Sequence, residues 1–113
     1  MATKAIVLID LNIILDVLQR REPFYEASAR LLGAVEGELI EGYLAAHSIT
    51  TLFYLVQKDM SAADARAAIT NLLQILKIAP VTQSTIDQAL NLDYRDFEDA
   101  VQMISAVQCK ADY

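Results

Sequence analysis

An apolar run, Ala5 to Ile9, stops on a carboxylate at Asp10 and passes straight into a helical pattern, "LNIILDVL". This junction constrains the fold more than any other feature of the chain. The run does not alternate polar and apolar residues, so it reads as a strand buried on both faces, over Lys4 to Ile9. A strand of that kind belongs to a parallel sheet covered by helices on both sides. The remaining sequence supplies those helices. Asn12 to Arg21 reads as a helix with Asn12 as N-cap, and Pro23 breaks it. Phe24 to Val35 reads as a second, with Phe24, Ala27, Leu31, Leu32 and Val35 on one side. Gly37 and Gly42 bracket a turn before a strand at Tyr43 to Ala46. Ser48 reads as the cap of a third helix carrying Ile49, Leu52, Phe53 and Val56. Ser61 opens a fourth, striped by Ala65, Ile69, Leu72, Leu73 and Leu76. Lys77 to Val81 reads as a third strand, with Pro80 marking an edge or end. Ser84 and Asp87 resemble a capping box, and the last helix starts near Phe97 with Ala100, Val101, Ile104 and Val107 inward.

Strands separated by helices predict an α/β layer fold with a mainly parallel sheet. Its ligands are expected beyond the carboxyl ends of the strands, where Asp10 lies. A chain of 113 residues suits one domain, and 55% hydrophobic residues suit burial over disorder. No apolar run approaches the roughly 18 to 20 residues of a membrane span. Met1 to Lys4 lead into the strand with no small-residue cleavage site, so no signal peptide is expected. Cys109 is the sole cysteine, which excludes an internal disulfide and points to a reducing cytoplasm. The net charge of −6 gives no overall pull on a phosphate backbone. Handling nucleic acid would need a local patch, or a metal held by clustered acids.

The acids have structural readings as well as functional ones. Asp10 suits a helix cap, but with Asn12 expected in that role Asp10 is left spare. Asp96 and Asp99, three apart in "RDFEDAVQ", share a helix face. Asp96 as N-cap and Asp99 as third helical residue is the stronger reading from spacing alone. His47 is the only histidine and stands near the same rim, with nothing pairing to it in sequence. The arginines of "QRREPF" suit the end of the first helix better than a phosphate contact. No Cys/His cluster, nucleophile elbow or Gly-rich phosphate loop occurs.

The ordered stretches "LIDLNIILDVL", "RREPFYEASARLL", "GYLAAHSITTLFYLV" and "DFEDAVQMISAVQCKADY" resemble the PIN domain family across nearly the whole chain. The resemblance implies one PIN-like domain over residues 1–113, a three-layer α/β/α sandwich with a mainly parallel central sheet. It implies a metal-dependent ribonuclease, such as the toxin half of a toxin–antitoxin pair, with RNA as substrate and an antitoxin protein as partner. Asp10 and Asp99 match the family's catalytic acids, and Asp10, Asp99 and Asp96 would hold Mg²⁺ or Mn²⁺. Asn12, Ser48 and Thr51 would support them, with Asn12 orienting carboxylates by hydrogen bonds. Thr51 stands where members often carry a glutamate, and its hydroxyl is expected to face the cleft.

Members continue past "ADY" with a further strand, so the last strand is expected to be missing or only begun and the domain incomplete at its C-terminus. Ile6 to Ile9 would then offer an open edge, adding reason to associate as a homodimer or larger. Asp10 would drift, and with few carboxylates the chain is expected to be weak or inactive as an enzyme. The competing reading is a non-catalytic PIN-like binding module. A phosphatase or phosphoacceptor domain ranks lower, because D-x-D is wanted and position 12 is Asn.

Overall fold

The computed structural model describes residues 4–113. The reading of Met1 to Thr3 as a plain start lies outside the described residues. The elements are β1 (Ile6–Leu8), α1 (Leu11–Leu18), α2 (Tyr25–Glu36), β2 (Glu41–Ala45), α3 (Ala46–Asp59), α4 (Ala62–Leu72), β3 (Lys77–Ala79), α5 (Gln83–Leu90) and α6 (Phe97–Gln108). The three strands form one parallel sheet in the order β1-β2-β3, with Val7 opposite Gly42 and Leu44 opposite Ile78. Each crossover passes through two helices, as the alternation of patterns predicts. No helix among the described residues is long and apolar enough to cross a membrane.

Side-chain alternation along β2 divides the layers. Gly42 and Leu44 point into a core of Ile9, Ile14, Leu15, Leu32, Val35, Leu52, Val56 and Leu76, supplied by α1 to α4. A Cβ on Gly42 would come within 2.8 Å of a Leu76 methyl and 3.0 Å of a Val35 methyl, so those side chains would have to shift to admit one. On the other face, α5 and α6 bury the smaller set Ala89, Ala100, Val101 and Ile104. Glu41 and Tyr43 alternate with Gly42 and Leu44. Glu41 accepts from Lys77 Nζ, and the Tyr43 hydroxyl donates to Glu41 Oε1 at 3.1 Å. The Lys77 ammonium and the Tyr43 hydroxyl hold the Glu41 carboxyl below the usual carboxylate range. The same carboxylate holds the Lys77 ammonium above its usual range, and burial raises the Tyr43 hydroxyl.

Several local expectations are corrected. Asp10, not Asn12, caps α1, because the helix starts directly at Leu11 and the carboxylate reaches the Asn12 amide. Ala45, not Ser48, precedes α3; the strand runs into the helix without a gap, which places Ser48 in the core stripe with Leu52 and Val56. Thr82 with Thr85 forms the capping box of α5 in place of Ser84 with Asp87. Phe24, Leu73 and Val107 are exposed, the first before α2 begins and the second after α4 ends. Ala27, expected on the inward side of α2, is exposed as well. β1 is not unpaired on its outer side: Asp112 N donates to Ile6 O at 2.7 Å and Leu8 N donates to Tyr113 O at 3.0 Å. The Asp112 carboxylate also accepts from the Ile6 amide at 2.8 Å.

Three helices close with a residue at positive φ that is not glycine: Arg20 after α1, Glu38 after α2 and Lys110 after α6. In each, the next amide reaches back to the helix, as Arg21 N does to Asp16 O at 2.9 Å, Leu39 N to Ala34 O and Ala111 N to Ala106 O, both at 2.9 Å. This is the Schellman closure, which usually employs glycine.

Candidate active site

Because β1 and β2 run parallel and each leads at once into a helix, the N-termini of α1 and α3 open at the same end of the sheet. Asp10 sits at that end. It is exposed and extended, and its Oδ2 accepts from Asn12 N at 3.1 Å and from Asn12 Nδ2 at 2.8 Å. One carboxylate oxygen is therefore tied to the helix start while Oδ1 is left to reach outward. The Asp10 carboxylate caps α1 and accepts from the Asn12 side-chain amide.

The second acid comes from the far layer. α6 begins at Phe97 with Asp96 as its N-cap, Oδ1 accepting from Glu98 N at 2.9 Å. Asp99 lies in the first helical turn and is exposed. It lines a hollow of about 520 Å³ with Leu8, Tyr94, Met103, Val107 and Tyr113. Leu8 is two residues before Asp10, so Asp99 faces the outer edge of the strand that carries Asp10. Among the described residues no three His, Cys, Asp or Glu side chains gather into a set able to hold a metal ion. Asp96 does not complete such a set with Asp10 and Asp99.

The remaining expected residues lie on α3. Ser48 is buried, which removes it from the cleft. Thr51 is half-buried one turn before Leu55, and Leu55 lines a groove together with Asn12 of α1. Thr51 thus belongs to the side of α3 that turns to α1. His47 lies in the first turn of α3, and both its ring nitrogens are buried without a hydrogen-bond partner.

Sequence reasoning missed Asp16. It is buried on α1, accepts from Ser28 Oγ at 2.9 Å, and its Oδ1 lies 3.6 Å from Arg21 Nε. The signal was available: Asp16 is the only charged residue in "LNIILDVL" and falls four residues after Asn12, on one face with it. Arg21 is accordingly not a dipole partner within a helix, since α1 ends at Leu18.

A family model described as PIN domain matches residues 6–113. Among solved structures the chain is similar to the crystal structure of VapC20 from Mycobacterium tuberculosis, described as a sarcin-ricin loop cleaving toxin. The TM-score is 0.73 at 16% identity, over 95% of this chain and 85% of that one. At that identity the likeness speaks for the fold, the mixed α/β arrangement with a parallel sheet described above. No curated protein matches the chain.

Proposed function

This chain belongs to the PIN domain family, and from that premise we propose that it is a metal-dependent ribonuclease of the toxin type, with Asp10 and Asp99 as its catalytic acids. The observation that carries the reading is Asp10 itself. A carboxylate at the carboxyl end of β1, held on one oxygen by Asn12 and free on the other, suits a ligand for a hard cation. Oxygen donors fit Mg²⁺ or Mn²⁺, and Mg²⁺ needs only one or two carboxylates when waters and substrate phosphates complete its shell. The absence of a three-donor set among the described residues fits such a sparse site and not an all-protein cage.

Asp10 and Asp99 would hold the ion, which when bound supplies an activated water and neutralises charge on the scissile phosphate. Asn12 fixes the rotamer of Asp10, so the carboxylate loses no orientation on binding. With two ligands the ion is weakly retained, and cleavage by this chain is expected to be slow. An antitoxin protein, self-association and a cytoplasmic setting accompany the reading. The sparse donor set also favours a second reading, a PIN-like module that binds without cutting.

Cleavage of single-stranded RNA across a series of Mg²⁺ and Mn²⁺ concentrations separates the two. Asp10→Asn keeps a good helix cap and removes the charge. Slow, metal-dependent cleavage that this change abolishes supports the enzyme. Cleavage that survives Asp10→Asn, or no cleavage at any metal concentration, rejects it.

A further inference from the structure

The geometry points to a binding track for single-stranded RNA that starts at Asp10 and crosses α1 to the loop between α1 and α2, with Arg21 and Lys58 receiving phosphates and Phe24 receiving a base. It rests on the ribonuclease reading and extends it to the substrate's path.

Two hollows meet at the same pair of residues. A groove of about 500 Å³ between α1 and α3 is lined by Asn12, Gln19, Arg21, Lys58 and Asp59 among others. A second, of about 300 Å³, is lined by Asn12, Asp16, Arg21 and Phe24. Asn12 and Arg21 belong to both, and Asn12 is the residue bonded to the Asp10 carboxylate. The track is therefore continuous with the acid that would hold the ion.

Arg21 is set for this role. The left-handed turn at Arg20 folds the chain back so that Arg21 N bonds Asp16 O. Buried Asp16 then lies 3.6 Å from Arg21 Nε, an ion pair longer than a hydrogen bond, and that Nε is buried without a hydrogen-bond partner. The nearby carboxylate draws the guanidinium toward α1, and its terminal nitrogens are the groups that would meet a phosphate. Lys58 brings a second cation from α3, partly offset by Asp59 in the same groove. Arg20 stands over the Tyr25 ring at 5.6 Å, keeping a third cation beside them. In a chain of net charge −6, Arg21 stands past the C-terminus of α1 and Lys58 in the last turn of α3, along the groove that Asn12 also lines. Phe24 is 60% exposed although it adjoins the hollow. An exposed aromatic beside a cation in one hollow, Phe24 with Arg21, is an arrangement that takes unpaired bases by stacking. A duplex keeps its bases stacked on each other and gains nothing from Phe24.

The test is fluorescence anisotropy of a labelled 12-nucleotide single strand of RNA in EDTA, where nothing is cut, over a range of salt. Phe24→Ala and Lys58→Glu alter exposed side chains. Lys110→Glu makes the same charge change beyond the far end of α6. Phe24→Ala is expected to weaken binding about tenfold. Lys58→Glu is expected to weaken it similarly and to reduce the salt slope by about 0.7. Lys110→Glu is expected to bind like the unaltered chain. If the unaltered chain binds and neither Phe24→Ala nor Lys58→Glu weakens it, the track is wrong and the ribonuclease reading stands. Equal weakening by Lys58→Glu and Lys110→Glu also overturns the track, since binding then follows overall charge. No binding by the unaltered chain at low salt also overturns the track, while the ribonuclease reading is decided by the metal-titrated cleavage assay.

Discussion

The two faces of the sheet are packed to different depths, and the two candidate acids divide between them. On the face of α1 to α4, large side chains such as Ile14, Leu44, Leu52 and Val56 are almost wholly buried. On the face of α5 and α6 the buried set is Ala89, Ala100, Val101 and Ile104, mostly small. That face adds a polar stitch, Glu41 with Lys77 and Tyr43. Asp10 stands on the deep face with one oxygen fixed, and Asp99 stands on the thin face in an exposed helical turn. Local opening costs least where few apolar contacts must part. Under the proposed ribonuclease reading, a positioned carboxylate would be paired with one on the more loosely packed face.

The largest test of this contrast is truncation of one core residue on each face. Leu52→Ala is expected to cost about 3–5 kcal/mol and Ile104→Ala about 2 kcal/mol, both read by urea unfolding. Equal costs would mean that the faces are equally packed. Next is the reverse insult: Gly42→Ala puts a methyl against Leu76 and Val35, and about 1–3 kcal/mol of destabilisation is expected by the same measurement. A neutral result would show that the deep face yields. Gly33 on α2 has nothing within 4 Å of a Cβ, so Gly33→Ala is expected to raise stability by about 0.5–1 kcal/mol. This separates close packing from helix propensity on one layer.

The smallest effect concerns the thin face. The Glu41 carboxyl titrates below its usual range, so its contribution is present above that range and lost as pH falls through the lowered value. Lys77 titrates above its usual range, so the same contact is present below that range and lost as pH rises through the raised value. Unfolding of Lys77→Met is expected to differ slightly from the unaltered chain near neutral pH and to coincide with it in strong acid. A difference that persists in strong acid would place the effect in packing of the Lys77 stem.

Most elements were legible because burial writes a period into the chain. The non-alternating run before Asp10, the i, i+4 spacing of Leu52 and Val56, and the start of α6 at Phe97 all follow from it. Caps were less legible, because they depend on where a strand stops. Asn12 and Ser48 are both good capping residues, yet β1 and β2 enter their helices with no intervening turn, and Asp10 and Ala45 take the positions instead. Asp10 was found through its place at a strand end. Asp16 was overlooked because a buried carboxylate is legible only once its partners, Ser28 and Arg21, are brought to it from outside α1. Neither of the hollows that share Arg21 could be seen before α1 and α3 were placed side by side.

The left-handed residues Arg20, Glu38 and Lys110 have a meaning for how the chain knows its own lengths. A side chain in that conformation is disfavoured by roughly 1–2 kcal/mol, and nothing in these residue types halts a helix. After α2 and α6 the following segment is committed elsewhere, Leu39 toward β2 and Asp112 to the edge of β1, whereas after α1 Arg21 turns back on Asp16 of the same helix. The full stops of this chain are punctuation supplied by its neighbours. Cut out as peptides, α2 and α6 would lose those commitments and their boundaries would blur into the loops that the assembled protein holds sharp, while α1 would keep Asp16 within it and Pro23 beyond its end.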